Sequence, residues 1–277
     1  MMRIDAHQHY WRFDPRRDAW ITDAMAAIRR DFLPEDVAPL LTAADIDGVI
    51  AVQADQSETE TRFLLDLSAR HDFIRGVVGW VDLRAPDLGD RLARWQGVGA
   101  LKGFRRVAQG EPDDFLARPD VIRGVNCIGA HGFTFDILIY PRQLTAATRL
   151  VEQCSGVRFV LDHCAKPGIA AGDITGWRDG ITRLARHANV VCKLSGLVTE
   201  ADWHTWTAAD LVPYLDVTAA AFGPGRLMFG SDWPVCLLAA PYGAVVDTVA
   251  RWCDRLSHGE RADVFGGTAA AVYRLER

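Results

Sequence analysis

At 277 residues, 49% of them apolar and 24% charged, the chain has the composition of a globular protein and the length of one large α/β barrel or two ordinary domains. Its 31 Lys and Arg against 36 Asp and Glu give a net charge of −5 with no basic run, which removes the electrostatic case for nucleic acid or an anionic membrane as partner. No apolar stretch approaches the ~20 residues needed to span a bilayer, and no signal peptide is read ahead of the first strand-like run.

The first element is that run, Arg3-Ile4-Asp5-Ala6-His7-Gln8-His9-Tyr10-Trp11. If it is a strand, His7 and His9 point to one face, about 6.5–7 Å apart along the chain, close enough to share a cation. A long connection follows over about 10–33, carrying Trp11, Phe13, Pro15 and Trp20. Connections of that length are usually functional, so it is expected to cover the site. Pro34-Glu35-Asp36 opens a helix, Gly48–Gln53 is a strand, and Thr61–Ala69 is an amphipathic helix. Phe73–Val81 is a strand, Asp87–Trp95 a short helix, and Val98–Phe104 a strand ending in charge. A helix is expected over Asp113–Ile128 despite Pro119, a strand over Phe133–Leu138, and a helix through Leu144, Leu150 and Cys154. Val157–Asp162 and Val190–Leu194 are strands, separated by a helix through Ile181 and Leu184. Asp210–Phe222 is helical, Leu227–Gly230 is the last strand, and helices through Val245–Leu256 and Ala269–Leu275 close the chain, the last capped by Thr268.

Eight apolar strands, mostly followed by amphipathic helices, call for a parallel sheet buried on both faces, and in this length for a single α/β domain, a (β/α)₈ TIM barrel over 1–277. No Gly-x-Gly-x-x-Gly follows a strand, which weakens a doubly wound dinucleotide-binding alternative. The six cysteines are scattered with no Cys-x-x-Cys, and several fall inside apolar runs. They read as reduced, buried thiols in a cytoplasmic protein.

In such a barrel, chemistry collects at the C-terminal ends of the strands. Polar residues stand there: His7 and His9 after the first strand, Gln53 and Asp55 after the second, Lys102 and Arg105 at the fourth. Asp162-His163 follow the sixth, Lys193 and Ser195 the seventh, and Ser231-Asp232-Trp233-Pro234 the eighth. Closure brings the first and eighth strands together, so Asp232 would face His7 and His9. Two histidines and an aspartate suit one divalent metal, zinc best, with a position open for water. Taken singly, Asp232 is equally compatible with a helix cap, His163 with a structural hydrogen bond, and Lys102 and Lys193 with surface positions. Their shared rim favours a site. His71, His131, His187, His204 and His258 lie off that rim and read as structural.

The ordered set Ile4-Asp5-Ala6-His7-Gln8-His9-Tyr10-Trp11, Leu101-Lys102-Gly103-Phe104-Arg105, Leu161-Asp162-His163-Cys164-Ala165-Lys166-Pro167, Lys193-Leu194-Ser195-Gly196, Phe229-Gly230-Ser231-Asp232-Trp233-Pro234 and Phe265-Gly266-Gly267-Thr268-Ala269 resembles the lactone-hydrolysing branch of the amidohydrolase superfamily. That branch includes fuconolactonases, rhamnonolactonases and pyrone-dicarboxylate lactonases, whose members differ in whether they need a metal. The family commonly has Asn where Thr268 stands, and its bridging carboxylated lysine is not clearly present here. The resemblance implies hydrolysis of a small-molecule lactone, with Asp232 as base for water and His163 orienting the carbonyl or protonating the leaving oxygen. Lys102 or Arg105 would steady the oxyanion, with Lys193 also facing substrate. A sugar-acid lactone would find hydroxyl partners and an apolar wall in Gln53, Trp11, Trp80 and Trp233. A doubly charged pyrone would need more converging arginines than Arg105 and Arg106 provide. A metal-dependent decarboxylase and a non-catalytic sugar-acid binder are the competing readings.

Overall fold

The computed structural model describes residues 2–276. Eight parallel strands run in the order β1-β2-β3-β4-β5-β6-β7-β8: Ile4–Gln8, Gly48–Val52, Ile74–Gly79, Leu101–Val107, Thr134–Leu138, Phe159–Leu161, Val190–Leu194 and Leu227–Phe229. Helices fill the connections: α1 Pro34–Ala43, α2 Glu58–Ser68, α3 Leu88–Ala93, α4 Pro119–Ala130, α5 Leu144–Gln153 and α6 Thr175–Leu184. After β7 come α7 Leu197–Glu200 and α8 Ala208–Phe222, and after β8 come α9 Tyr242–Trp252, α10 His258–Ala262 and α11 Thr268–Tyr273. The last gap in the barrel closes just past β8. There Gln8 bridges Trp233 in parallel, His9 N–H donates to the Trp233 carbonyl at 2.7 Å, and Asp232 N–H donates to the His7 carbonyl at 2.9 Å.

The apolar runs are continuous because each strand is buried on both sides. In β2, Val49 and Ala51 belong to the outer core between sheet and helices, while Ile50 and Val52 point into the barrel. The barrel interior is apolar toward the strand starts, where Ile4, Ile50, Val78, Val160 and Met228 pack on Val272 and Tyr273 of α11, which plugs that end. Toward the strand ends it becomes charged, with Asp136, Asp162, Lys193, Arg105 and His7 all buried. A polar layer resting on an apolar plug is what carries the site.

Several expected boundaries move, three of them with an evident cause. β4 starts at Leu101, after a turn through Gly97 at φ +82°, and runs on to Val107. The basic residues therefore lie within the strand, with Lys102 near its beginning. Pro119 does not interrupt a helix but opens α4 at its first position, where its missing N–H costs nothing. Thr268 is already helical rather than capping, and its hydroxyl donates to the Gly225 carbonyl at 3.2 Å. Just before it, Gly266 is required by contact: a Cβ there would sit 2.0 Å from the Met2 carbonyl oxygen. Among the described residues, no helix is long and apolar enough to cross a membrane.

Candidate active site

The closure of β1 onto the end of β8 brings His7, His9 and Asp232 into one buried cluster. His7 Nε2 lies 3.2 Å from His9 Nε2, and Asp232 Oδ1 lies 3.3 Å from His9 Nε2 and 3.8 Å from His7 Nε2. Asp5 fixes this closure, since its carboxylate accepts from Ser231 N–H at 2.8 Å, from Gln8 Nε2 at 2.7 Å and from the Tyr242 hydroxyl at 3.2 Å. A hydrogen-bond partner assigns the tautomer of His9. His9 Nδ1 is 2.7 Å from the Val52 carbonyl, an acceptor only, so Nδ1 carries the proton and Nε2 presents a lone pair. His7 has a cationic donor against each ring nitrogen, Arg105 Nη1 at 3.2 Å from Nε2 and Lys193 Nζ at 3.2 Å from Nδ1, with Asp162 Oδ1 3.4 Å from Nδ1. The Nε2 atoms of His7 and His9 and a carboxylate oxygen of Asp232 converge on one point. Ligand atoms about 2.0–2.2 Å from a tetrahedral zinc stand about 3.3–3.6 Å from one another, and this trio comes within a few tenths of an ångström of that. The donors fit one divalent ion. A second possible set, His7, Asp162 and His163, is poorer, because Asp162 is engaged elsewhere.

Beneath the cluster lies a buried ion network. Lys193 Nζ is 2.6 Å from Asp136 Oδ2 and 3.0 Å from Asp162 Oδ1, and Arg105 Nη1 is 3.1 Å from Asp162 Oδ2. Tyr273, from the plug, donates to Asp136 Oδ2 at 2.8 Å. Burial opposes ionisation of Asp162, but Lys193, His7 and Arg105 outweigh it and hold the carboxyl well below its ordinary range. Burial also holds His7 well below the usual imidazole value, against the pull of Asp162. His7 is therefore a neutral ring set by charged neighbours.

His163 stands on the opposite wall. It begins a left-handed turn in which His163, Cys164, Ala165 and Lys166 all have φ between 50° and 58°. Its Nδ1 meets Ser195 Oγ at 2.8 Å, and its Nε2 is 3.9 Å from Asp232 Oδ1. Gly196, at φ +61°, makes room for the ring, because a Cβ there would lie 2.6 Å from His163 Nδ1. Burial keeps His163 well below the ordinary imidazole range despite Asp232. For Asp232, burial raises the carboxyl, but His163 and His9 prevail and its pKa falls below the usual value, so it is anionic at neutral pH.

A cleft of about 370 Å³ opens over these groups, with His9, Arg105, His163 and Asp232 on its floor. Its walls include Val107 and Leu138, register partners on β4 and β5, and the polar Asp55, Gln56 and Gln109. Arg17 and Trp20 from the 10–33 connection close one side.

The expected site residues divide accordingly. His7, His9, His163, Asp232 and Arg105 meet. Lys102 does not: it faces the opposite mouth of the barrel, lining a hollow of about 240 Å³ with His131 and Arg274, and its Nζ donates to the Arg274 carbonyl at 3.4 Å. Its place near the start of β4, rather than at the end, is the reason. Lys193 is 0% exposed and lies beneath His7, so it cannot face substrate. Gln53 is likewise buried, and its amide donates to the Arg105 carbonyl at 3.3 Å, bracing β4. Trp11 and Trp233 are nearly fully buried and pack edge-on against Phe32, forming the inner layer of the loop rather than the cleft wall. Trp80 is absent from the cleft lining, its backbone N–H held by Thr61 Oγ1 at 2.9 Å. Sequence reasoning passed over Arg17, Gln56, Gln109 and Lys166 as lining residues; Lys166 stands three residues after His163, the one signal that could have found it.

The amidohydrolase family model matches residues 4–275. An L-fucono-1,5-lactonase from Burkholderia multivorans is 44% identical over 99% of this chain and 96% of the relative. A second L-fucono-1,5-lactonase, from Burkholderia ambifaria, is 40% identical over 99% of this chain and 96% of its own. A crystal structure of an amidohydrolase from Burkholderia multivorans with bound zinc superposes at TM-score 0.96 and 44% identity, covering 100% of both chains.

Proposed function

This chain belongs to the amidohydrolase family, and from that membership and the geometry of the cleft we propose that it hydrolyses a sugar-acid lactone, of the L-fucono- or L-rhamnono- type, to the open-chain acid. The observation that carries the reading is the anionic Asp232 set beside His7, His9 and His163 under a cleft of sugar size. His7, His9 and Asp232 would hold one divalent ion, zinc by their donor set and by the zinc in the Burkholderia multivorans relative. When bound, such an ion supplies Lewis acidity and makes water easier to deprotonate at neutral pH. Asp232 takes the proton from the attacking water. His163, fixed by Ser195 and Gly196, orients the lactone or passes a proton to the departing ring oxygen. Arg105, at the cleft floor, and Lys193, one layer below, hold His7 both directly and through Asp162.

The cleft suits a neutral sugar lactone better than a dicarboxylate. Arg105 directs its charge at Asp162, Lys166 is paired with Glu200 at 2.5 Å, and Arg17 with Asp18 at 2.7 Å. Each cation already has a carboxylate partner, which leaves no unbalanced positive charge to meet a dicarboxylate, whereas Asp55, Gln56 and Gln109 offer partners for hydroxyls. The 10–33 connection serves as the cover of this single barrel domain, which is why Arg17 and Trp20 reach the cleft. All six cysteines are free thiols, in keeping with a cytoplasmic protein.

A pH-indicator screen of sugar lactones, with and without chelator, tests the reading. Stoichiometric acid release from an L-fucono- or L-rhamnono-lactone is expected, diminished by chelator and restored by zinc. Release of carbon dioxide from an unsaturated carboxylic acid, with no lactone opened, would replace it with the decarboxylase reading.

A further inference from the structure

Three cations, Arg105 in β4, Lys193 in β7 and Lys166 in the turn after β6, stand near the histidine and aspartate cluster, and their partners separate them. Lys193 is fully buried between Asp136 and Asp162. Arg105 gives Nη1 to Asp162 and His7 and Nη2 to the Gln53 carbonyl, which turns its charge into the barrel. Lys166 is placed differently. It lines the cleft with His163 and Asp232, and among the described residues its ion-pair partner is Glu200 alone, at the end of α7. An ammonium has three donors, so Glu200 leaves two for a ligand.

The backbone delivers this side chain at a cost. Four successive non-glycine residues, His163 to Lys166, are left-handed, a conformation that costs roughly 1–2 kcal/mol per residue. The turn is closed by Lys166 N–H donating to the His163 carbonyl at 2.7 Å. Backbone strain of this kind gathers where side chains must be held for function. Here the turn sets His163 and Lys166 on one wall, facing Asp232.

We propose that Lys166 is a catalytic residue of the lactonase reaction, its ammonium binding the lactone carbonyl oxygen and stabilising the negative charge that develops there. The inference rests on the reading of the cleft as a lactonase site. The oxygen of water adds to the carbonyl carbon while its proton passes to Asp232. The C=O electron pair moves onto the carbonyl oxygen against Lys166, and returns as the ring C–O bond breaks. The ring oxygen takes up the proton, so lactone and water give the hydroxy acid and nothing else is consumed. Burial opposes the lysine charge, but Glu200 and Asp232 outweigh it and keep the pKa above the ordinary lysine value. A group that holds its proton so firmly serves as a fixed positive charge rather than as a proton donor.

The test is steady-state kinetics on whichever lactone the wild-type enzyme opens. Lys166→Met is expected to lose about 10²–10³-fold in kcat, the usual effect of removing one oxyanion donor, with KM within about threefold. Lys166→Arg is expected to recover at least tenfold of that loss. A Lys166→Met enzyme within threefold of wild-type kcat, or a Lys166→Arg enzyme no faster than Lys166→Met, overturns the assignment. Should Lys166→Met not fold, Glu200→Gln takes its place: losing the anchor while keeping the ammonium should lower kcat about tenfold at unchanged melting temperature, and full activity overturns the assignment. If wild type opens no lactone at all, it is the lactonase reading that has failed.

Discussion

Asp232 is held by more than its own carboxylate. It sits at φ +60°, its N–H is committed to the His7 carbonyl, and its Oδ1 lies within 4 Å of His7, His9 and His163. Asparagine keeps the shape and most hydrogen bonds but loses both the charge and the basicity. Asp232→Asn should therefore lower kcat by at least 10²-fold, in the range of a lost general base, and weaken zinc binding in a metal titration. Circular dichroism should show the fold retained. A variant with near-normal turnover would remove Asp232 from the mechanism. His7 is the contrasting case: Lys193, Asp162 and Arg105 surround it, so changing any of them acts on the site through the imidazole.

At the scale of elements, the loop after β7 is where one atom decides the geometry. Gly196 lies at φ +61°, and a Cβ would come 2.6 Å from His163 Nδ1, which is fixed to Ser195. Gly196→Ala should cost roughly 1–3 kcal/mol and lower kcat by about tenfold or more, since the ring must move. Gly176, in the first turn of α6 with nothing within 4 Å of its Cβ position, is the control: Gly176→Ala should leave kcat unchanged and hold or slightly raise the melting temperature. Equal effects of the two changes would refute the steric argument. The same elements mark what the sequence made legible. Strand identity could be read because burial on both faces leaves continuous apolar runs such as Gly48–Val52. The histidine and aspartate rim could be read because each group stands within the last residues of a strand or no more than three residues past its end. Lys102 misled because the strand start was taken three residues early, which moved a residue of the N-terminal mouth to the active end. Trp11 and Trp233 misled because an aromatic ring beside a site can face the cleft or back it, and adjacency in sequence does not choose. The left-handed turn that presents Lys166 left no local signature, since none of its four residues is glycine.

For the whole molecule, buried titrating groups pull stability in opposite directions with pH. His7 and His163 are held neutral, below the usual imidazole value, so the unfolded chain takes up protons first as pH falls, and their contribution is lost below about pH 6.5. Glu60 acts in the opposite sense. It lies beneath the cleft wall, where its Oε1 accepts from Ala54 N–H at 2.5 Å, with Asp55 and Arg17 as its charged neighbours. Burial, opposed by the Ala54 and Asp55 N–H bonds, raises its pKa from 4.5 to about 7. Below pH 4.5 both states are protonated and nothing is lost. Between 4.5 and 7 the unfolded chain ionises first, so stability falls as pH rises, and above 7 the deficit is constant. A shift of that size corresponds to at most about 3 kcal/mol. Glu60→Gln keeps the acceptor for Ala54 and removes the buried charge, so it should raise the melting temperature by several degrees at pH 8, with most of the gain gone at pH 5. Thermal melts of the two proteins at both pH values decide it. A gain of equal size at pH 5 and pH 8 would mean that packing, and not the titration of Glu60, sets the difference.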